Sequence, residues 1–265
     1  MLFSGHTAAG PDRSDSRRTS WRGSTTVRIC HSRHVRLATY NVNHGNREPR
    51  ASLDAIADAD ADVVLLQEVT ARWQAALADR FAARYPVHVY RLHGRNAGGL
   101  AVLSKFPVGG EELYEPPPGG WFPAQRLVVT APFGDVQILH VHLRPALDAG
   151  SWFKGFVTTP PVREAEIRAY WQQLVHGLPT LIAGDFNEDI TGLALAALAE
   201  HGYRRVATTG PTSWHYEEDG WDVLKMDIDH ILVGPTLTGS DGRVLDAGTS
   251  DHRPVVATIG PVIAT

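Results

Sequence analysis

The chain has 265 residues, 43% of them hydrophobic and 20% charged, with one cysteine, Cys30. This is ordinary globular composition, and it excludes a fibre, a disulfide scaffold and a four-cysteine zinc site. No apolar run approaches the ~20 residues that a membrane span needs. The length suits one α/β domain with a single large core. The net charge of −4 is unevenly divided: residues 1–36 carry seven arginines against Asp12 and Asp15, whereas the rest carries 18 basic against 27 acidic residues, a net of −9. An acidic body is a poor general clamp for polyanions but suits a site that gathers carboxylates around a divalent cation.

Residues 1–34 are rich in Ser, Arg, Gly and Thr and lack apolar periodicity. Such a segment buries too little to order itself, so it is expected to be a disordered tail ahead of one folded domain at 35–262. Ser16-Arg17-Arg18 resembles a twin-arginine signal, but Thr19-Ser20-Trp21-Arg22-Gly23 is not the apolar stretch such a signal requires. A basic arm for nucleic acid is the other functional reading of this segment. Without a signal or a span, a cytoplasmic location is expected.

From Val35 the pattern becomes regular. Val35–Tyr40 alternates as a strand, and 51–60 reads as a helix with Leu53, Ile56 and Ala57 on one face. Asp62–Leu66 is a continuous apolar run, the mark of a strand covered on both sides. A helix at 71–84 is built around Trp73, Leu77 and Phe81. Strands are predicted at Val87–Leu92, Leu100–Leu103, Arg126–Ala131, Val136–Val141, Thr180–Ala183, Ile228–Val233 and Pro254–Ile259, and helices at 162–176 and 191–201. Pro116–Gly120 and Thr159–Pro161 read as loops. No repeat and no internal linker is visible.

Catalytic groups of α/β proteins tend to lie just past strand ends. Here that rule selects Asn41, Glu68, His140, His142, Asp185, Asn187, Asp229, Asp251 and His252. Glu68, Asp251 and the amide oxygen of Asn41 offer hard oxygen ligands, which suit Mg²⁺ or Mn²⁺ better than Zn²⁺. His252 has the chemistry of a general base, with Asp229 to fix its tautomer. Asp185 can position or deprotonate water, and Asn187 and His142 can donate to a phosphoryl oxygen. Taken singly, each has a structural explanation: Asn41 a turn, Glu68 a helix cap, Gly184–Asn187 a turn, His252 a capped loop. His140 and His142 share one strand face, and His140 is assigned the structural role. His230 and Trp121, Trp152, Trp171, Trp214 and Trp221 are assigned to core or groove wall.

The set has an order. Thr39-Tyr40-Asn41-Val42-Asn43, Leu66-Gln67-Glu68, Gly98 to Pro107, His140-Val141-His142-Leu143, Gly184-Asp185-Phe186-Asn187, Ile228-Asp229-His230 and Ser250 to Pro254 follow one another along the chain. In this the chain resembles the endonuclease/exonuclease/phosphatase superfamily over about residues 35–260. The resemblance implies a four-layer α/β sandwich, two packed mixed β-sheets flanked by helices, and Mg²⁺-dependent hydrolysis of a phosphate ester. It implies Glu68 as principal metal ligand with Asn41 and Asp251, His252 and Asp229 as the base dyad, and Asp185 and Asn187 acting on water and phosphate. His142 matches a phosphate-contacting position, and Arg126 resembles a site-facing arginine. Deoxyribonucleases of this type carry a carboxylate near the position of Gly98-Gly99 to support the phosphate-side histidine, and here glycines stand there. The 144–161 insert matches no known substrate loop. The implied partner is a phosphate-ester substrate, whether nucleic acid, phospholipid or small molecule, and the chain is expected to be a monomer without a stable protein partner. Two rival readings remain: a zinc hydrolase using His140 and His142, and a catalytically inactive member serving as a binding module.

Overall fold

In the computed structural model, residues 33–218 and 221–263 are described. The expectation of a disordered tail at 1–34 therefore lies almost wholly outside the described residues. In chain order the elements are β1 (Val35–Asn41), α1 (Pro49–Asp58), β2 (Val63–Gln67), α2 (Ala71–Phe81), β3 (Val87–Arg91), β4 (Leu100–Ser104), β5 (Val108–Tyr114), β6 (Ala124–Ala131) and β7 (Gly134–His142). There follow α3 (Trp152–Thr158), α4 (Pro160–Gln172), β8 (Thr180–Asp185), α5 (Leu193–Glu200), β9 (Arg204–Arg205), β10 (Thr208–Thr209), β11 (Trp214–Glu218), β12 (Trp221–Met226), β13 (Asp229–Val233), β14 (Leu237–Val244) and β15 (Val255–Pro261).

Alternation along the strands sets the layering. Leu37 of β1, Leu65 of β2 and Ala257 of β15 point to one face and meet Leu127, Ile138, Leu181 and Ile231 of a second sheet in one buried cluster. The residues next to them, Ala38, Tyr40, Val64 and Leu66, point the other way and pack on Ile56 of α1 and Trp73, Leu77 and Phe81 of α2. On the far side Leu139, Val141, Ile182 and Leu232 pack on Ile167 and Tyr170 of α4 and Ala194 and Leu198 of α5. The result is helix, sheet, sheet, helix: the expected four-layer sandwich. One sheet has the order β10-β14-β15-β1-β2-β4-β3, the other β5-β6-β7-β8-β13-β9. Both are mixed, with β1–β2 and β7–β8 parallel and their other named neighbours largely antiparallel.

Several elements depart from the sequence reading. Pro160 and Pro161, read as a loop, open α4 at its first positions, where a missing N–H has no helical partner to lose. β5, β14, α3 and the β11–β12 hairpin have no counterpart in the sequence reading, because glycines and charges interrupt any apolar alternation there. No helix among the described residues is long and apolar enough to cross a membrane.

Candidate active site

Strand register brings the polar residues together. In the second sheet the parallel pair β7–β8 sets His142 opposite Asp185, and the antiparallel pair β8–β13 sets Asp185 opposite Asp229. In the first, β1 ends at Asn41 beside Gln67, so Glu68 emerges one residue later, and the turn before β15 presents Asp251 and His252 next to them. Three of the residues in these turns, Asn43, Glu68 and Asn187, hold a left-handed backbone (φ 58°, 62° and 53°). Asparagine tolerates that conformation, whereas a glutamate there carries strain of a kind that clusters at functional sites.

The side chains form one network. Asn41 Nδ2 donates to both Glu68 Oε1 (3.1 Å) and Asp185 Oδ2 (3.0 Å), while its Oδ1 accepts from Asn43 N (3.0 Å). Glu68 Oε2 accepts from His44 N (3.0 Å) and meets the His44 ring. Burial pushes the Glu68 carboxyl up, but the His44 contacts, the His142 charge and the Asn41 amide overturn that and hold it at about 2. Asp251 is held by Asn43 Nδ2 (2.8 Å) on Oδ1 and by Trp214 Nε1 (3.1 Å) on Oδ2. Ser250 Oγ donates to Asn41 O (2.8 Å) and accepts from His252 N (3.1 Å), which ties the two turns together.

His252 Nδ1 lies 2.9 Å from Asp229 Oδ2, and its Nε2 lies 3.7 Å from Asp185 Oδ2. Both residues are buried. Burial opposes the imidazolium, but Asp229, Asp185 and Asp251 together outweigh it and raise the His252 pKa. Asp229 is fixed from behind, since Ser213 Oγ accepts from the backbone N–H of Ile228 and Asp229 (3.0 Å each). His142 Nδ1 donates to Ala97 O (2.9 Å), which turns its Nε2 to within 3.4 Å of Asp185 Oδ2, and Phe122 stacks on its ring at 4.5 Å. The support on this side of His142 is thus a backbone carbonyl and not the carboxylate that the resemblance led one to expect. Nearby, Gly99 packs against the chain after β2, where a Cβ would meet Val69 O at 1.9 Å. Asn187 donates its amide to Leu143 O (3.0 Å) and its backbone N–H to Asp185 Oδ1 (2.8 Å).

Glu68, His142, Asp185, Asn187, Asp251 and His252 line one cavity of about 330 Å³. Its walls are apolar, with Trp121, Phe122, Trp152, Phe156, Trp214 and Met226 around the polar floor. The Arg144 guanidinium lies 3.3 Å over the Trp121 ring. Arg126 is not brought here. Buried on β6, it donates to Gln137 Oε1 (2.9 Å) and Gly110 O (2.6 Å), because its strand position points it away from the cavity. His140 is fully buried, with Nε2 accepting from Gln67 Nε2 (2.7 Å) and Nδ1 facing Gln125 Oε1 (3.3 Å). Burial pushes its pKa down to about 3. His230 is likewise interior, joined to Arg205 and the Glu188 carbonyl. Trp221 departs from its expected place in core or groove wall and stands in solvent, because β11–β12 is a separate two-stranded sheet. Asn43, His44 and Trp214 are part of the network and are absent from the residues chosen from sequence, although Asn43 and His44 lie immediately past a strand end, where the same rule would have found them.

Residues 38–252 match the Endonuclease/Exonuclease/phosphatase family. The chain belongs to this family. Its fold is similar to that of sphingomyelinase C from Streptomyces griseocarneus (19% identity, TM-score 0.66, covering 85% of this chain and 99% of that one). It is also similar to an endonuclease/exonuclease/phosphatase from Beutenbergia cavernae (22%, 0.66, 87% and 72%) and to truncated TDP2 from Caenorhabditis elegans (18%, 0.61, 86% and 98%). No curated protein matches the sequence. Family membership makes the chain a hydrolase of phosphate ester bonds.

The carboxylates fit a divalent cation. Glu68 and Asp185 are mostly buried and share a single amide donor, and Asp251 opens to the same cavity. Asp185, Asp229 and His252 also offer ligand atoms within 4.8 Å of one another. A hard-oxygen set with excess negative charge suits Mg²⁺ or Mn²⁺.

Proposed function

We propose that the chain is a divalent-metal-dependent phosphoesterase that uses Mg²⁺ or Mn²⁺ and the His252–Asp229 pair to drive attack of water on a phosphate ester. The observation that carries this reading is the dyad itself, directed at Asp185 in a cavity that also holds Glu68 and Asp251. Glu68 and Asp251 would hold the cation through their carboxylates. Asn41, whose oxygen is engaged by Asn43 N, serves by donating to Glu68 and Asp185. The cation, when bound, polarises the phosphoryl oxygen and offsets the negative charge that otherwise keeps His252 protonated.

The remaining roles belong to side chains. Asp229 keeps the proton on His252 Nδ1, so Nε2 is the nitrogen that can take a proton from water. Asp185, between His142 and His252, orients that water or the leaving oxygen. The second amide hydrogen of Asn187 supplies a hydrogen bond to the phosphoryl group, and Nε2 of His142 supplies another in the imidazolium form, since its Nδ1 hydrogen is given to Ala97 O. The zinc reading loses support because both His140 nitrogens are occupied by glutamine amides. An inactive binding module gives no reason for a buried Asp–His pair aimed at a third carboxylate. The similar structures are named for sphingomyelinase and endonuclease/exonuclease/phosphatase activities, so a phospholipid and a nucleic acid are both candidate substrates, and the acidic body favours the former.

Hydrolysis of bis-p-nitrophenyl phosphate with Mg²⁺, Mn²⁺ or EDTA tests this reading. Activity is expected with either ion and absent in EDTA. Full turnover in EDTA contradicts it.

A further inference from the structure

The chain just past β7 forms one wall of the cavity through Pro145, Ala146 and Leu147, and it is held by its own backbone. Buried side chains of α4 engage both main-chain groups of Arg144. Its N–H donates to Glu166 Oε2 (2.8 Å), and its carbonyl accepts from Arg163 Nη1 (3.1 Å). Arg163 is fixed in turn by Thr159 Oγ1 (2.7 Å) and Glu188 Oε2 (3.2 Å). Helix α3 closes on the same segment, where a Cβ at Gly155 would meet Ala146 C and O at 2.2 Å. The segment is therefore seated by main-chain contacts that do not involve the Arg144 side chain.

That side chain is free for another task. Arg144 is only 8% exposed, and burying a guanidinium costs free energy unless its partners offset it. Nη2 donates to Leu147 O (2.8 Å), while Nη1 is buried with no hydrogen-bond partner among the described residues. The remaining partner is the indole of Trp121, 3.3 Å from the guanidinium carbon, with the Arg95 guanidinium 5.3 Å from the same ring. Such a cation–ring contact is stronger when desolvated. Trp121 and Leu147 line the cavity, and Arg144 itself does not. Phe122, next to Trp121, stacks on His142. Arg144 thus fixes an aromatic wall on the side of the cavity where His142 stands. Apolar and aromatic walls bind the organic part of a ligand, while a few polar groups orient it.

We infer that Arg144 is a positioning residue, which through Trp121 and Leu147 sets the wall that binds the organic group of the ester and so governs KM and not kcat. This rests on the phosphoesterase reading for the identity of the ligand.

The test is steady-state hydrolysis of bis-p-nitrophenyl phosphate with Mg²⁺ by the full chain and by Arg144→Gln, Arg144→Lys, Trp121→Leu and the Arg144→Gln, Trp121→Leu pair. Arg144→Gln is expected to raise KM by about tenfold, the size of a desolvated cation–ring contact, with kcat nearly unchanged. Arg144→Lys keeps the charge but loses the planar fork, so it should show the same rise, and it carries the test if the glutamine variant does not fold. The pair should be no worse than Trp121→Leu alone, because both changes remove one wall. An unchanged KM in Arg144→Gln, a normal KM in Arg144→Lys, a fall in kcat with KM unmoved, or losses in the pair that multiply would overturn the inference. Calorimetric titration of the ester into the His252→Ala chain reads the same wall without turnover, and Arg144→Gln on that background should raise Kd by the same factor. Binding there, weakened by Arg144→Gln, with no hydrolysis by the wild type would refute the phosphoesterase reading and leave the positioning role standing. A Kd that ignores Arg144→Gln, or no binding at all, would overturn the role.

Discussion

One amide nitrogen, Nδ2 of Asn41, stands between the Glu68 and Asp185 carboxylates, and without it two buried anions would face each other with less to screen them. Glu68 is the more informative residue to change. Its carboxyl is held at about 2, so it stays ionised across the working range and can hold a cation throughout. Glu68→Gln should raise the Mg²⁺ concentration for half-maximal activity by about tenfold or more and lower kcat with it. A Mg²⁺ titration with an unchanged midpoint would contradict that role. At this scale the sequence was informative where a residue sits at a strand end and has rare chemistry, as for Glu68, Asp185 and His252. It put Trp214 in core or groove wall, where the residue does line the cavity, but gave no sign of its contact to Asp251, which joins residues 37 apart through two loops, and the resemblance misled on Arg126. Such contacts arise from loop closure and strand facing, which leave no periodic signal.

Between β7 and β8 the chains approach too closely for a side chain at Gly184, which has φ 148° and where a Cβ would meet Val141 O at 1.9 Å. The pairing that sets His142 opposite Asp185 depends on that approach. Gly184→Ala should therefore destabilise the fold by roughly 2 kcal/mol or more, read as a fall in the denaturation midpoint. An unshifted midpoint would show the register to be more tolerant. On α4, Glu166 is buried and its Oε2 accepts from Arg144 N at 2.8 Å, next to the cavity wall. Burial pushes its carboxyl from 4.5 up to about 7, against the pull of the Arg144 and Trp121 backbone N–H groups. The folded value lies above the unfolded one, so its favourable contribution is complete below pH 4.5 and is lost as pH rises through about 7. Relative to wild type, Glu166→Gln should gain stability across that window, by roughly 3 kcal/mol at most, and a difference in melting temperature that ignores pH would contradict it. Elements with a buried face, such as β2 and α2, were legible in the sequence. The edge strand β5 and the strand β14 were not, because Gly109-Gly110 and Gly239-Ser240-Asp241-Gly242 remove the apolar alternation that a half-exposed strand needs.

The two sheets meet at the site, and neither alone assembles it. Asn41, Glu68, Asp251 and His252 come from the ends of strands in the first, and His142, Asp185 and Asp229 from the second. Among the described residues the three buried clusters run from Val35 to Ile259, and the composition of the tail predicts that a chain starting at His34 folds and keeps its turnover. A large loss of melting temperature or activity on that truncation would refute it. The central claim is that His252, from one sheet, and Asp229, from the other, act as a unit on water. It is tested most directly by kcat per folded molecule for His252→Ala, Asp229→Asn and the double variant on bis-p-nitrophenyl phosphate with saturating Mg²⁺. The account predicts that His252→Ala costs about 100-fold or more, that Asp229→Asn also costs rate, and that the double variant is hardly worse than His252→Ala alone. Near-wild-type turnover in His252→Ala, or losses that simply multiply, would contradict it.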